Sequence, residues 1–129
     1  MSEISDFISA VRLFNNSDGT SAFKTGKLPI LKPMNTSTFW ISNKTEDWEK
    51  TEHPAPRRQY VVTLDGIIRF KVSDGSTFLI KPGIILLAED IEGKGHSWEI
   101  IEGEKWVRLY IPITDDAESF FIPDSVEVI

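Results

Sequence analysis

From residue 38 onward, the sequence is a succession of short segments rich in β-branched and aromatic residues. These segments lie at residues 39–42, 60–64, 67–72, 77–80, 84–88, 97–101 and 106–111. Turn-forming residues separate them, and we predict a two-residue hairpin turn at Asp65-Gly66 and further turns at residues 73–76 and 102–104. Residues 84–88 are apolar on both faces, as expected for a strand that is covered on both sides. Many short strands with such punctuation indicate an all-β sandwich or barrel.

The first part of the chain has a less regular pattern. Its apolar residues follow a helix-like spacing, although residues 11–14 fit the start of a strand equally well. Prolines at positions 29 and 33 argue against a central strand there, because proline cannot donate to a strand ladder. We therefore predict a short N-terminal helix or arm, with residues 1–37 as an extension packed on a barrel domain of residues 38–129.

The composition limits the chemistry that the chain can perform. It has no Cys and only two His, so any metal must be held by imidazole, carboxylate or amide groups. A net charge of −6 disfavours a nucleic-acid partner, because phosphate backbones attract basic surfaces. With no secretion signal and no long apolar run, we expect a cytoplasmic protein that does not enter a membrane.

Two groups of residues resemble the sequence motifs of the cupin superfamily. In the first motif, a His-x-His pair precedes a Glu, and a Gly follows seven positions after that Glu. Counting back from Gly66 places Gln59 at the Glu position, Ala55 at the second His and His53 at the first. The second motif, a Gly-rich turn that ends in a His, is matched at residues 82–83 and 93–96, ending at His96. The resemblance covers about residues 38 to 112 and is similar to short, single-domain bacterial cupins.

The resemblance implies a cupin-type double-stranded β-helix, or jelly-roll barrel, around a pocket for one small ligand. Because side chains alternate along a strand, one inward face is predicted to hold His53, Ala55, Arg57, Gln59 and Val61. Arg58 and Tyr60 then point away from the pocket. Trp98 follows His96 by two residues and points inward with it.

One use of such a pocket is metal chemistry. His53, Gln59 and His96 are the candidate ligands for one divalent ion, namely iron, manganese, nickel or zinc. The resemblance implies oxygenase, isomerase or lyase reactions for a metal held in this way. Glu89 or Asp90 is a candidate for an additional carboxylate ligand, because both precede the His96 turn.

Two further uses need no metal. His53 or His96 can serve as the catalytic acid or base while Arg57 clamps a carboxylate or phosphate. Alternatively, the pocket only binds a small anion or an aromatic acid, with Trp98 as a stacking wall. A carrier or a sensor would have this second character.

Our first hypothesis is a small-molecule cupin that acts on an anionic metabolite, with His53, Arg57, Gln59 and His96 as its site. The rival is a non-catalytic binding or sensor protein without metal, so the sequence leaves open whether the chain is an enzyme. Cupins often pair through edge strands, and we expect a homodimer. The turn at residues 93–95 is either a lid over the pocket or a plain hairpin connection.

Overall fold

The computed structural model describes residues 6–114 and 116–124, and most of its regular structure is β-strand. In chain order the elements are β1 (Phe7–Asn15), β2 (Ser21–Pro29), β3 (Trp40–Ser42), α1 (Asp47–Lys50), β4 (Gln59–Lys71), β5 (Thr77–Ile80), β6 (Ile85–Ala88), β7 (Ser97–Pro112) and β8 (Ile122–Pro123). Within the described ranges, no helix combines the length and the apolar character needed to span a bilayer.

The strands form one eight-stranded sheet. Its path runs β3-β7-β4-β6-β1-β2-β8, and β5 pairs with β4 beside this path. β1 and β6 are parallel, whereas the other strand pairs along the described chain are antiparallel. The all-β prediction is confirmed. The cupin-type jelly-roll arrangement and the homodimer are finer statements, and they stay predictions.

Residues 7–15 form strand β1, so the interpretation of this segment as a helix is wrong. β1 lies between β2 and β6 in the sheet, and it buries the neighbouring residues Ala10 and Val11 as well as Leu13. Adjacent residues of a strand point to opposite faces, so burial of both means that both faces are covered. The pairing with β6 is distant in sequence, which is why local spacing did not reveal it. The division of the chain at residue 37 stays a prediction, and Ile4 lies outside the described residues.

Two predicted turns lie inside long strands. β4 continues through Asp65-Gly66, where its pairing with β7 shifts register, so this is an irregularity of the ladder rather than a hairpin turn. Gly66 has a φ of 104°, which agrees with the conformation expected for Gly but not with its place at a turn. Opposite it, Gly103 has a φ of 94° within β7, although residues 102–104 were interpreted as a turn. The predicted strands at residues 39–42, 77–80 and 84–88 agree with β3, β5 and β6 to within one residue.

The sheet buries apolar side chains on both faces. One core cluster consists of Val11, Leu13, Val61, Ile68, Phe70, Val72, Phe78, Ile80, Leu86, Trp98 and Trp106. A second consists of Ala10, Leu28, Tyr60, Leu87 and Ile113. Neighbours along β6 divide between the clusters, with Leu86 in the first and Leu87 in the second. This confirms the prediction that residues 84–88 form a strand that is apolar on both faces.

If β1 is an integral strand, Leu13→Ala will strongly destabilise the protein. Leu13 is fully buried in the first core cluster, so the substitution should lower the free energy of unfolding by about 2–5 kcal/mol. The matched control is Ile8→Ala on the same strand, where the side chain is 41% exposed and the expected loss is about 1 kcal/mol or less. Urea denaturation measures both values, and equal losses would show that β1 is not a core strand.

Candidate functional site

All five residues predicted for the site line one cavity of about 420 Å³. Its walls come from β3, α1, the segment before β4, and strands β4, β6 and β7. The lining residues used below are His53, Arg57, Gln59, His96, Trp98, Trp40, Trp48, Glu49, Phe70, Trp106, Arg108 and Tyr110. The cavity therefore takes in all four tryptophans of the chain. The predicted alternation also agrees with the structure, because Ala55 and Val61 line this cavity whereas Arg58 and Tyr60 do not.

A pair of backbone hydrogen bonds brings the two histidines together. The His53 N–H donates to the His96 carbonyl at 2.9 Å, and the His96 N–H donates to the His53 carbonyl at 3.0 Å. The imidazole centroids are 5.0 Å apart. A side chain at Gly95 would place its Cβ 2.0 Å from the His53 oxygen, so only Gly permits this approach.

The turn at residues 93–95 connects elements instead of covering the cavity. Gly93 lies against the backbone of the turn that follows β1, where an added Cβ would be 2.3 Å from the Gly19 oxygen. None of residues 93–95 is among the residues that line the cavity. The interpretation as a connection therefore fits the structure better than the interpretation as a lid.

Each imidazole has its Nδ1 atom held by an acceptor. His53 Nδ1 is 2.8 Å from the carbonyl oxygen of Thr51, and His96 Nδ1 is 2.6 Å from Asp90 Oδ2. A carbonyl and a carboxylate only accept, so Nδ1 carries the proton in both rings. The Nε2 atoms have no hydrogen-bond partner within the described part of the chain. The neutral form of each ring would therefore have its Nε2 lone pair available to a ligand.

Asp90 is the partner of His96 behind the cavity wall. It is fully buried, and its Oδ2 atom also accepts a hydrogen bond from the Ser21 hydroxyl at 2.9 Å. Its Oδ1 atom is buried without a partner among the described residues. The sequence pointed to Asp90 only as an additional metal ligand, whereas its contact is with the imidazole. No sequence signal identified this pairing, because it depends on how the turn at residues 91–95 folds back.

Glu89, the other candidate carboxylate, faces away from the cavity. It accepts from Arg12 Nε at 2.6 Å and from Arg58 Nε at 2.7 Å. Neither arginine lines the cavity. Glu89 is therefore occupied by two ion pairs on the other side of the sheet, and it does not supply a ligand to the site.

The cavity contains a second arginine that the sequence interpretation missed. Arg108 is only 1% exposed, and its donors reach the Tyr110 hydroxyl, the Trp106 carbonyl and Glu49 Oε2 at 2.8, 2.7 and 3.2 Å. Strand alternation could have found it, because Trp106, Arg108 and Tyr110 occupy every second position of β7. Each of its three guanidinium nitrogens donates to a protein group, so Arg108 forms part of the cavity wall.

Arg57 differs from Arg108 because it has no acidic partner in the described part of the chain. Its Nη1 atom donates to Gln59 Oε1 at 3.0 Å, and its guanidinium lies 5.0 Å from the Trp40 ring centroid. A guanidinium has five N–H donors in a planar fork. Most of the hydrogen-bonding capacity of Arg57 is therefore available to a ligand.

Tyr110 is held in its neutral form. Burial raises the pKa of its hydroxyl above the ordinary value of 10.0, and the positive charge of Arg108 offsets part of this rise. The hydroxyl therefore stays protonated at neutral pH, and Tyr110 does not supply a base to the cavity.

The predicted metal ligands do not form a complete ligand set. The described residues contain no group of three or more His, Asp or Glu side chains placed to hold a metal. Gln59 would be the third ligand, but its Oε1 atom already accepts from the guanidinium of Arg57. A divalent cation there would face two imidazoles and a positive charge, whereas catalytic zinc sites have three protein ligands. This arrangement does not fit a divalent metal, and metal binding stays a prediction to be measured.

No protein-family model matches the sequence, and no curated protein matches it either. The fold and the site together describe an all-β protein whose cavity is lined by aromatic side chains, two arginines and a histidine pair. A finer assignment depends on the arguments from these residues.

If Gly95 permits the approach of the two histidines, Gly95→Ala will lower the free energy of unfolding by more than the strain of a positive φ accounts for. Gly75→Ala is the matched control, because its φ of 89° is similar and nothing lies within 4 Å of its added Cβ. We expect about 1–2 kcal/mol of lost unfolding free energy from the left-handed backbone in both variants, and clearly more for Gly95→Ala. Amide hydrogen exchange should also show lost protection at His53 and His96 in that variant only. Equal losses with retained protection would contradict this role of Gly95.

Proposed function

We propose that this chain is a small-molecule cupin that binds an anionic metabolite and transfers a proton by means of His53 and His96. The observation that carries the proposal is the histidine pair, with Nδ1 protons held by acceptors and Nε2 atoms without protein partners. It lies in the same cavity as Arg57, a cation without an acidic partner in the described residues. The two motifs that resemble cupins contribute both histidines.

A barrel of cupin type is supported by the curvature of the longest ladder. In the pairing of β4 with β7, Gln59 is opposite Pro112 and Lys71 is opposite Ser97. The segments before the two strands thus enter at opposite ends of a ladder that would be about 40 Å long if straight. The bridge between His53 and His96 nevertheless joins them. The register shifts near Gly66 provide the bending that a closed sheet needs.

The two histidines have different surroundings, and we assign them different roles. His96 donates to the buried carboxylate of Asp90, which stabilises the positive charge that appears when Nε2 takes a proton. We therefore assign His96 as the base. His53 donates its Nδ1 proton to the neutral carbonyl of Thr51, and we assign its imidazolium form, which carries a second proton on Nε2, as the group that returns a proton to the ligand. Removal of a proton from one atom of the ligand and return of a proton to another is the chemistry of an isomerase or a lyase.

Arg57 supplies the electrostatic part of this mechanism. Its free N–H groups can hold an anionic group of the ligand, which fixes the ligand relative to the imidazoles. The same cation stabilises negative charge that develops on the ligand when a proton leaves. Trp98 and Trp106 form the buried part of the wall, at 5% and 2% exposure, whereas Trp40 beside Arg57 is 42% exposed, so solvent reaches the guanidinium from that side.

A non-catalytic binding or sensor protein is the second candidate. The presence of all four tryptophans in the cavity wall favours it, because they give a large stacking surface that proton transfer does not need. Both candidates use the same ligand site, but only the enzyme breaks and forms bonds to hydrogen in the ligand.

Hydrogen exchange into ligands separates enzyme from binder. The wild-type chain should catalyse exchange of carbon-bound hydrogen with D₂O in at least one member of a panel of small carboxylates, as followed by proton NMR. His96→Gln should lower that rate by about 100-fold or more, because positioned acid–base groups contribute this much. Arg69→Gln is the control, since Arg69 is exposed and pairs with Glu99 outside the cavity. Ligand binding without any exchange would replace the enzyme by the binder, and exchange that survives in both His53→Gln and His96→Gln would refute their roles.

Metal content tests whether the chemistry is metal-free. Protein purified without an affinity tag or a chelator should contain iron, manganese, nickel and zinc well below one ion per chain by plasma mass spectrometry. His53→Ala and His96→Ala should not change these amounts, because Gln59 does not complete a ligand set. Near-stoichiometric metal that falls in both variants would restore the metal-dependent cupin.

A further inference from the structure

We infer that the ligand of this cavity is a planar aromatic monocarboxylate, and that Gln59 binds its carboxylate together with Arg57. This inference rests on the proposed function, since it names the class of anion that the cavity takes. It also gives Gln59 a role opposite to that of a metal ligand. Three independent features of the cavity support it: the hydrogen-bond donors, the balance of charge and the shape of the walls.

The first feature is that the Arg57–Gln59 pair offers several free donors, while its acceptor capacity is limited to the second lone pair of the Gln59 oxygen. Gln59 is 3% exposed, and its amide oxygen accepts from Arg57 Nη1 at 3.0 Å. This contact leaves the amide NH₂ group, which has two donors and no hydrogen-bond partner among the described residues. The remaining N–H groups of Arg57 lie beside it. A carboxylate accepts at both oxygens and matches such a set, whereas a cation or a ligand that only donates does not.

The second feature is the charge of the cavity wall. Arg108 and Glu49 form an ion pair at 3.2 Å and cancel one another. His96 has its own carboxylate partner, Asp90, so Arg57 remains as the cation without an acidic partner among the described residues that line the cavity. A monoanion balances this charge. A phosphate monoester with two negative charges would carry one charge more than Arg57 balances.

The third feature is the aromatic wall next to this pair. The Trp40 ring contacts Arg57 on one side and lies 5.8 Å from the Tyr110 ring, at a tilt of 33°. Trp98 and Trp106 meet edge to face, with centroids 4.8 Å apart. Flat walls of this kind favour a flat ligand, because stacking depends on close approach of the ring faces. The cavity of about 420 Å³ is within the size range of small-ligand sites.

Benzoate and four analogues test these features one at a time. Benzamide is the neutral counterpart, cyclohexanecarboxylate is not planar, and terephthalate and phenyl phosphate carry more negative charge. All four tryptophans line the cavity, so quenching of their fluorescence, excited at 295 nm where the probes absorb little, reports binding. We expect benzoate to bind at least about tenfold more tightly than benzamide, since a charged hydrogen bond is worth that much or more. Cyclohexanecarboxylate should bind more weakly than benzoate because it has no ring face to stack, and terephthalate and phenyl phosphate because Arg57 balances only one negative charge.

Substitutions in the pair test the role of Gln59. Gln59→Glu places a carboxylate beside Arg57, so it should weaken benzoate binding by at least about tenfold through cancelled charge and repulsion. Arg57→Gln should weaken it to a similar degree, and it retains a hydrogen-bonding side chain in case Gln59→Glu does not fold. Arg69→Gln, outside the cavity, should bind as the wild type does. Far-UV circular dichroism checks that each variant is folded.

The outcomes separate the ligand class from the proposed function. Benzamide or cyclohexanecarboxylate binding as tightly as benzoate would overturn the carboxylate or the aromatic part of the inference. Tighter binding of phenyl phosphate would overturn the carboxylate class and leave an anion-binding cavity in place. Unchanged benzoate affinity in folded Gln59→Glu would remove Gln59 from the site. Failure of every anion to bind would overturn the inference and the proposed function together.

Discussion

The two backbone hydrogen bonds between His53 and His96 fix the geometry on which the cavity depends. They join segments that enter the β4–β7 ladder at its opposite ends, so both strands must curve for the bonds to form. The curvature and the bridge together close the space that the aromatic side chains line. This contact requires a glycine at position 95, because any Cβ at that position would overlap the His53 carbonyl. A short turn thus determines the position of both imidazoles.

Asp90 shows that the site is maintained at a cost in stability. Its carboxylate is fully buried, and one of its oxygens has no partner in the described part of the chain. An unsatisfied buried polar atom costs about 1–3 kcal/mol, and a buried charge costs more. Ser21 and His96 share the other oxygen and offset part of this cost. A purely structural core position would be filled more favourably by an apolar residue, so orientation of the His96 ring is the better explanation for the carboxylate.

The sequence predicted the wall of the cavity better than the connections of the sheet. His53, Arg57 and Gln59 line one cavity as alternation predicted, but residues 54–58 are not strand and Pro56 lines the cavity as well, so the agreement does not come from a regular period of two. β1 was misinterpreted because its burial comes from a distant partner, β6, and not from its own spacing. Asp65-Gly66 fits a hairpin turn and a bulge equally well, since both need the same positive φ. Asp90 was missed as a partner of His96 because a folded turn, and not alternation, sets their distance.

The amide at position 59 leaves the positive charge of Arg57 without a carboxylate partner. A Glu in this place, as in the resembling motif, would add an acceptor and would neutralise Arg57 by an ion pair. Gln59 keeps a hydrogen bond to Arg57 through its oxygen, yet it leaves the positive charge uncompensated and adds two donors. The chain has a net charge of −6, which disfavours large polyanions, whereas Arg57 places a positive charge without an acidic partner among the described residues of this cavity. The proposed site for a small carboxylate therefore depends on an amide, and not a carboxylate, at position 59.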